Sequence, residues 1–271
     1  MPELPEVETT LRGISPHLLK QAVLALQIRQ WQLRWPIPKD LPEKVKGRVI
    51  RALHRRGKYL LLQFDHGTAI AHLGMSGSLR IVEKKSAPAK HDHVDWLLQS
   101  GQVLRFTDPR RFGALLWTEE PFDQHPLLKN LGPEPLSEYF TAELLFKRSR
   151  KRKQSIKTLI MDSKIVVGVG NIYANEALFL SAIRPGRAAG SLSRNDCMRL
   201  VTEVKKVLDR AIKVGGTTLR DFVGGDGKPG YFQQSLFVYG REGEPCRRCS
   251  GILKQKRIAQ RSTVYCSSCQ K

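Results

Sequence analysis

Long hydrophobic runs are missing from this chain of 271 residues. No stretch approaches the roughly 18 apolar residues of a membrane-spanning helix. A secretory leader is excluded too, because the chain opens on the acidic Pro2-Glu3-Leu4-Pro5-Glu6-Val7, where a leader needs a basic start and an apolar core. A cytoplasmic protein is therefore expected. Cysteine is scarce: five residues are too few for a disulfide scaffold at this length. Negative charge is scarce as well, with 25 Asp and Glu against 46 Lys and Arg, a net charge of +21. Such an excess points to a polyanionic partner, nucleic acid before any other. A membrane surface would call for a long basic amphipathic helix, and none stands out. There is also no internal repeat.

What cysteine there is lies mostly at one end. Cys246-x2-Cys249 and Cys266-x2-Cys269 are separated by 16 residues, a spacing that fits one structural Zn2+ held by four thiolates. Cys197 falls in a helical pattern and reads as a small buried hydrophobe. The length favours two domains, and the sequence changes character part-way along. Residues 3–13 suit a short helix stopped by Gly13. From about 22 to 118 short strand-like segments (22–29, 49–53, 59–64, 69–72, 78–82, 93–98, 103–106, 113–117) follow one another, the pattern of an antiparallel sandwich or barrel. Beyond Pro121 a turn-rich stretch leads to helical segments: one capped by Ser137 and running towards Lys147, then 155–162, 171–182 and 193–214. The stretch Gly224-Gly225-Asp226-Gly227-Lys228-Pro229-Gly230 reads as a loop.

Several positions suit chemistry on a nucleic acid. Removal of Met1 would leave Pro2 as a secondary amine with a pKa of about 8, against about 10 for lysine, so part of it is an uncharged nucleophile at neutral pH. Glu3 and Glu6 follow at a spacing that puts both on one face of a helix. An amine beside two carboxylates is a minimal kit for Schiff-base chemistry. Residues 147–157 hold seven basic residues in eleven, a phosphate-contacting stretch given the overall charge. Val167-Gly168-Val169-Gly170-Asn171 sets glycines before a helix whose N-terminal N–H groups could face a phosphate, although a plain interhelical turn is the usual explanation for such glycines. The Lys-Ser/Thr ending of a Walker loop is absent. Met75, in His72-Leu73-Gly74-Met75-Ser76-Gly77, and Phe112, in Asp108-Pro109-Arg110-Arg111-Phe112-Gly113, could be core residues or wedges between stacked bases. Arg261 lies five residues before Cys266, where a hairpin between the cysteine pairs would present it.

The blocks PELPEVE, HLGMSGSLR, TDPRRFG, VGVGNIYANE, DGKPGYF and the four-cysteine tail with QRSTVYC span residues 2 to 269. In that order they resemble formamidopyrimidine-DNA glycosylase, within a superfamily that includes endonuclease VIII. The resemblance implies an α+β multidomain fold: an N-terminal catalytic β-sandwich (1–121), a linker (122–136), a helix–two-turn–helix domain (137–223), a lesion-recognition loop and connector (224–240) and a zinc finger (241–271). It implies a monomer acting on double-stranded DNA that carries oxidised purines or abasic sites, located with the nucleoid. It assigns Pro2 as the nucleophile, Glu3 as the acid in sugar-ring opening and Glu6 as a supporting carboxylate. Lys58 would assist β-elimination and Arg261 the final elimination. His72, His91, Arg110, Arg152, Lys157 and Asn171 would contact the DNA backbone, and Met75, Arg110 and Phe112 would fill the space left by a flipped nucleotide. Two other readings compete. An endonuclease VIII-like enzyme for oxidised pyrimidines is disfavoured by Leu4, where that branch has glycine, and by the 217–232 segment. A non-catalytic zinc-ribbon binder would have no use for Pro2, Glu3 and Lys58 together.

Overall fold

The structure is a computed structural model that describes residues 2–216 and 236–271. The glycine-rich stretch and most of the expected loop at 224–240 lie outside the described residues. The described residues form two compact units, one of residues 2–129 with 214–216 and the other of 130–213 with 236–271.

The first unit opens with α1 (Leu4–Leu18). Glu3 is its N-cap in a capping box, with the Glu6 carboxylate accepting the Glu3 backbone N–H at 2.8 Å. Pro5 sits in the first turn, where a missing N–H costs nothing. The helix does not stop at Gly13 as expected; it runs five residues further. Val7, Leu11, Ile14 and Leu18 continue one apolar stripe across that glycine, and Ile14 and Leu18 are fully buried. An internal glycine costs about 1 kcal/mol relative to alanine, whereas each buried aliphatic side chain contributes about 1.5–3 kcal/mol. Burial therefore overrides propensity.

Two antiparallel four-stranded sheets follow. One has the order β1 (Val23–Ile28), β6 (Asp92–Leu98), β7 (Gln102–Thr107), β5 (Ser78–Glu83); the other has β2 (Ala52–Arg56), β3 (Tyr59–Phe64), β4 (Gly67–His72), β8 (Ala114–Thr118). A short helix, α2 (Leu41–Val45), was not legible from the pattern. Alternate residues of the strands enter one core: Leu60, Leu62 and Phe64 from β3, Val94, Trp96 and Leu98 from β6, Leu104 and Phe106 from β7. The β-sandwich reading holds, because period-two alternation is a local signal that one buried face enforces.

The second unit is helical with a small two-stranded sheet. In α3 (Ala142–Ser149) the cap is Thr141, not Ser137: the Thr141 Oγ1 accepts the Leu144 N–H at 3.1 Å, while the Ser137 hydroxyl donates to the Glu134 carbonyl in the preceding turn. Then come α4 (Ile156–Ile160), capped by Ser155, α5 (Asn171–Leu180) and α6 (Arg194–Lys213). The apolar face of α6, including Val201, Val204, Leu208 and Ala211, is buried as its periodicity requires. The strands β9 (Lys254–Ile258) and β10 (Arg261–Tyr265) form a hairpin between the cysteine pairs.

Candidate active site and nucleic-acid interface

Pro2 is buried and immediately precedes the capping box of α1, in which Glu3 and Glu6 are only 2% and 1% exposed. The chain start is thus held by the same hydrogen bonds that start the helix. Lys58 stands in the two-residue turn between β2 and β3, where Arg56 pairs with Tyr59. Gly57 takes a φ of +57° while Lys58 stays out of the left-handed region, the pattern of a type II′ hairpin turn. Arg55 ties this turn to the helix: its Nε donates to Glu8 Oε2 at 2.8 Å and its Nη1 to the Gly57 carbonyl at 3.0 Å. Glu8 loses solvation on burial, but hydrogen bonds from Arg55 and Arg12 outweigh that and hold its carboxyl below the usual range. Sequence reading missed Glu8 and Arg55, which lie two residues from Glu6 and three from Lys58.

Five of the expected DNA contacts belong to one edge of the sandwich. His72 ends β4 and pairs with Ala114 of β8. Its Nδ1 accepts the Gly74 N–H at 2.9 Å, so the ring proton resides on Nε2. Burial first, then the charges of Lys58 and Arg34, push its pKa down to about 4. The ring is neutral at physiological pH and can donate one hydrogen bond. In the unfolded chain it takes up a proton near 6.5. Acidification from 6.5 towards 4 therefore favours unfolding, by on the order of 2 kcal/mol at pH 5. His72→Gln should shrink the drop in melting temperature between pH 7 and pH 5 by a few degrees. An unchanged drop would show that the ring is protonated when folded.

Met75 and Phe112 are 40% and 44% exposed, so neither is a core residue. Both sit on loops, with the Arg110 guanidinium 4.9 Å from the Phe112 ring centroid. The loops touch through backbone: a Cβ on Gly74 would lie 2.4 Å from the carbonyl carbon of Phe112. His91 joins them, its carbonyl accepting the Asp108 N–H at 3.0 Å.

In the second unit Arg261 begins β10 directly after Ala259 and Gln260, whose φ values of +47° and +60° make a tight two-residue turn from residues that rarely adopt it. Arg261 is exposed. The strand behind it is fixed by polar side chains of α4 and α5. Lys157 is 1% exposed and its ammonium donates to the Ser262 carbonyl at 2.9 Å and to Thr263 Oγ1 at 2.7 Å. Asn171 Nδ2 donates to the same carbonyl at 3.1 Å, and Asn175 Oδ1 accepts the Val264 N–H at 3.2 Å. Arg152 is exposed in the middle of the basic stretch, its carbonyl accepting the Gly190 N–H at 2.9 Å. A lysine inside a basic run looks like a surface charge; only the fold turns Lys157 inward. Asn175 and Glu176 escaped the sequence reading. The Glu176 carboxylate accepts the N–H groups of Phe237, Val238 and Tyr239 at 2.8 to 2.9 Å. Burial nevertheless raises its pKa.

The four cysteine sulfurs lie within 4.8 Å of one another. Cys246 and Cys269 are 3.9 Å apart, and Cys249 and Cys266 3.5 Å. A tetrahedron with metal–sulfur bonds of about 2.3 Å needs sulfurs about 3.8 Å apart, so the residues fit one zinc ion with no open position. Such an ion is structural. Cys246 and Cys266 also belong to a small core with Phe179, Val238, Leu253 and Val264, which joins the metal centre to α5. Arg248 reinforces that joint by donating to the carbonyls of Phe179 and Leu180 at the end of the helix.

Three family models cover the chain: the formamidopyrimidine-DNA glycosylase N-terminal domain (residues 1–115), its H2TH domain (131–223) and the zinc finger found in FPG and IleRS (243–271). The chain belongs to the formamidopyrimidine-DNA glycosylase family. It is 60% identical over 271 residues to the formamidopyrimidine-DNA glycosylase of Saccharophagus degradans, with all of both chains covered. The enzyme of that name from Cellvibrio japonicus is 61% identical over 270 residues, again across the whole of both. Among solved structures, the MutM (Fpg) protein of Thermus thermophilus is 38% identical with a TM-score of 0.89, covering 99% of this chain and 98% of that one. Lactococcus lactis Fpg in complex with DNA containing an N7-benzyl-Fapy-dG is 32% identical with a TM-score of 0.93, over 100% of both. Among the described residues of this formamidopyrimidine-DNA glycosylase family member, no helix is long and apolar enough to cross a membrane.

Proposed function

We propose that the chain is a bifunctional DNA glycosylase and abasic-site lyase of base excision repair, which excises oxidised purines from duplex DNA and then nicks the strand. The observation that carries this reading is the start of α1: a proline followed by two buried carboxylates locked in one capping box. After removal of Met1, the Pro2 nitrogen attacks C1′ of the damaged nucleotide. The glycosidic bond breaks, the base departs with a proton, and Glu3 protonates the ring oxygen as the sugar opens. Nitrogen and C1′ are then joined as an iminium, which makes the C2′ proton acidic. Loss of that proton expels the 3′ phosphate, and a second elimination expels the 5′ phosphate. Glu6 holds the Glu3 backbone, Lys58 assists the first elimination and Arg261 the second.

Chemistry at C1′ requires the nucleotide to leave the stack, and Met75, Arg110 and Phe112 would fill the gap. His72, His91, Arg152 and Asn171 would bind the backbone. Lys157 would act from beneath, its charge close to the DNA and its ammonium holding the strand that carries Arg261. Nucleoid association and the division into 1–121, 122–136, 137–223, 224–240 and 241–271 form part of the same proposal. A panel of duplexes tests the substrate class: 8-oxoguanine and formamidopyrimidines should be excised with phosphates left on both ends of the gap. Preference for oxidised pyrimidines would instead favour the endonuclease VIII branch. About six cationic phosphate contacts should give binding to undamaged duplex a log–log salt slope on the order of −5. A nearly flat dependence would mean that the excess charge of +21 serves another purpose.

A further inference from the structure

We infer that Asp108 and Ser76 form a positioning device that couples the Met75 loop to the Arg110–Phe112 loop, so that the two side chains are presented to DNA as one wedge; this rests on the wedge reading above. Asp108 is 0% exposed and its carboxylate is bonded from both loops. Oδ1 accepts the Ser76 hydroxyl at 2.9 Å and the Arg110 N–H at 3.3 Å, and Oδ2 accepts the Gly113 N–H at 2.7 Å. Its carbonyl accepts from His93 Nε2 at 2.8 Å, and its N–H donates to the His91 carbonyl at 3.0 Å. No cation forms an ion pair with it among the described residues.

A buried carboxylate without a cation is costly unless its lone pairs are filled by hydrogen bonds. Here the donors come from two loops that are more than thirty residues apart in sequence, and Ser76 is the one side-chain donor from the first. If the Met75 loop moved away alone, it would strip that donor from a buried charge. The loops are therefore stable together and unstable apart. An inserting Met75 and Phe112 need this, because two wedges in one base stack must keep a fixed separation while the DNA resists being opened. The proposed chemistry gives Ser76 and Asp108 no part, so their effect should appear only where a stacked base must be displaced.

The test compares Met75→Ala, Ser76→Ala and the double variant on a fully paired 8-oxoguanine duplex and on a duplex with a preformed abasic site. Ser76→Ala should slow excision from the paired duplex about tenfold, the usual consequence of leaving a buried acceptor short of one donor, and change abasic-site cleavage less than twofold. In the Met75→Ala background the same substitution should add nothing, because the loop it ties to Phe112 no longer carries an inserting side chain. Equal loss on both substrates, or an undiminished Ser76→Ala effect in the double variant, would overturn the coupling while leaving the wedge reading intact. If Met75→Ala alone left the paired duplex unaffected, the wedge reading itself would fail, and the coupling with it. Melting temperatures of all three variants identify any loss that comes from unfolding.

Discussion

Mixed with a duplex containing 8-oxoguanine and treated with borohydride, the protein will become covalently joined to DNA through the nitrogen of Pro2. The iminium of the proposed mechanism is the only species in it that hydride can reduce to a stable amine, so the site of attachment reports the nucleophile directly. A version that keeps Met1, or carries any residue before Pro2, converts that nitrogen to a tertiary amide with no available lone pair. Excision and trapping should both vanish while duplex binding persists. Glu3→Gln retains the side-chain volume and a hydrogen-bond acceptor but cannot give up a proton, and should reduce base excision about 10²- to 10⁴-fold with affinity nearly unchanged. Recovery of the adduct on a lysine would remove Pro2 from its role. If affinity in Glu3→Gln fell as far as excision did, the carboxylate would be structural, which its place in the capping box makes a serious competitor.

Loss of the metal centre should have the second-largest effect. Four thiolates and the small apolar core around Cys246 and Cys266 hold the hairpin that carries Arg261. Without the ion the sulfurs crowd within 4.8 Å of one another with nothing to offset their mutual repulsion once ionised. Structural zinc in such modules contributes an apparent 10–16 kcal/mol to folding at neutral pH, more than a small hairpin can replace by packing. Cys249→Ser or exhaustive chelation should therefore lower duplex affinity at least a hundredfold and release one zinc per chain. The sandwich, with its own core of strands and α1, should keep its β-sheet circular dichroism. Full activity in metal-free protein would show that the hairpin folds without the ion. Collapse of the β signal together with binding would show that the sandwich depends on it.

The features legible from the sequence share a short physical range. Zinc ligation needs pairs of cysteines with two residues between them, and the amine–carboxylate kit is set within six residues of the start. The sandwich announces itself by alternation along each strand, and α6 by its apolar stripe. Each is a property of a few consecutive side chains and of backbone geometry. Features that escaped are decided by partners far along the chain. α1 passes Gly13 because Ile14 and Leu18 find a core made by strands that follow much later. The shift of the α3 cap from Ser137 to Thr141 is the local exception: the two hydroxyls compete over a few residues, and Ser137 is engaged by the turn before it.

Composition and motif order by themselves determined the kind of partner, the metal, the residue types of the chemistry and the family. Tertiary structure alone decided which of those residues face outward and what holds them. Met75 and Phe112, of types that are far more often core residues, are exposed on loops that meet backbone to backbone at Gly74. Lys157, one of seven cations in a basic run, is buried because Ser262 and Thr263 offer its ammonium two acceptors over a separation of more than a hundred residues. Asp108 became a hub for the same reason. A side chain's charge and size are fixed by its own position in the sequence, but its burial and hydrogen-bond partners depend on distant segments that only the folded chain brings within about 3 Å.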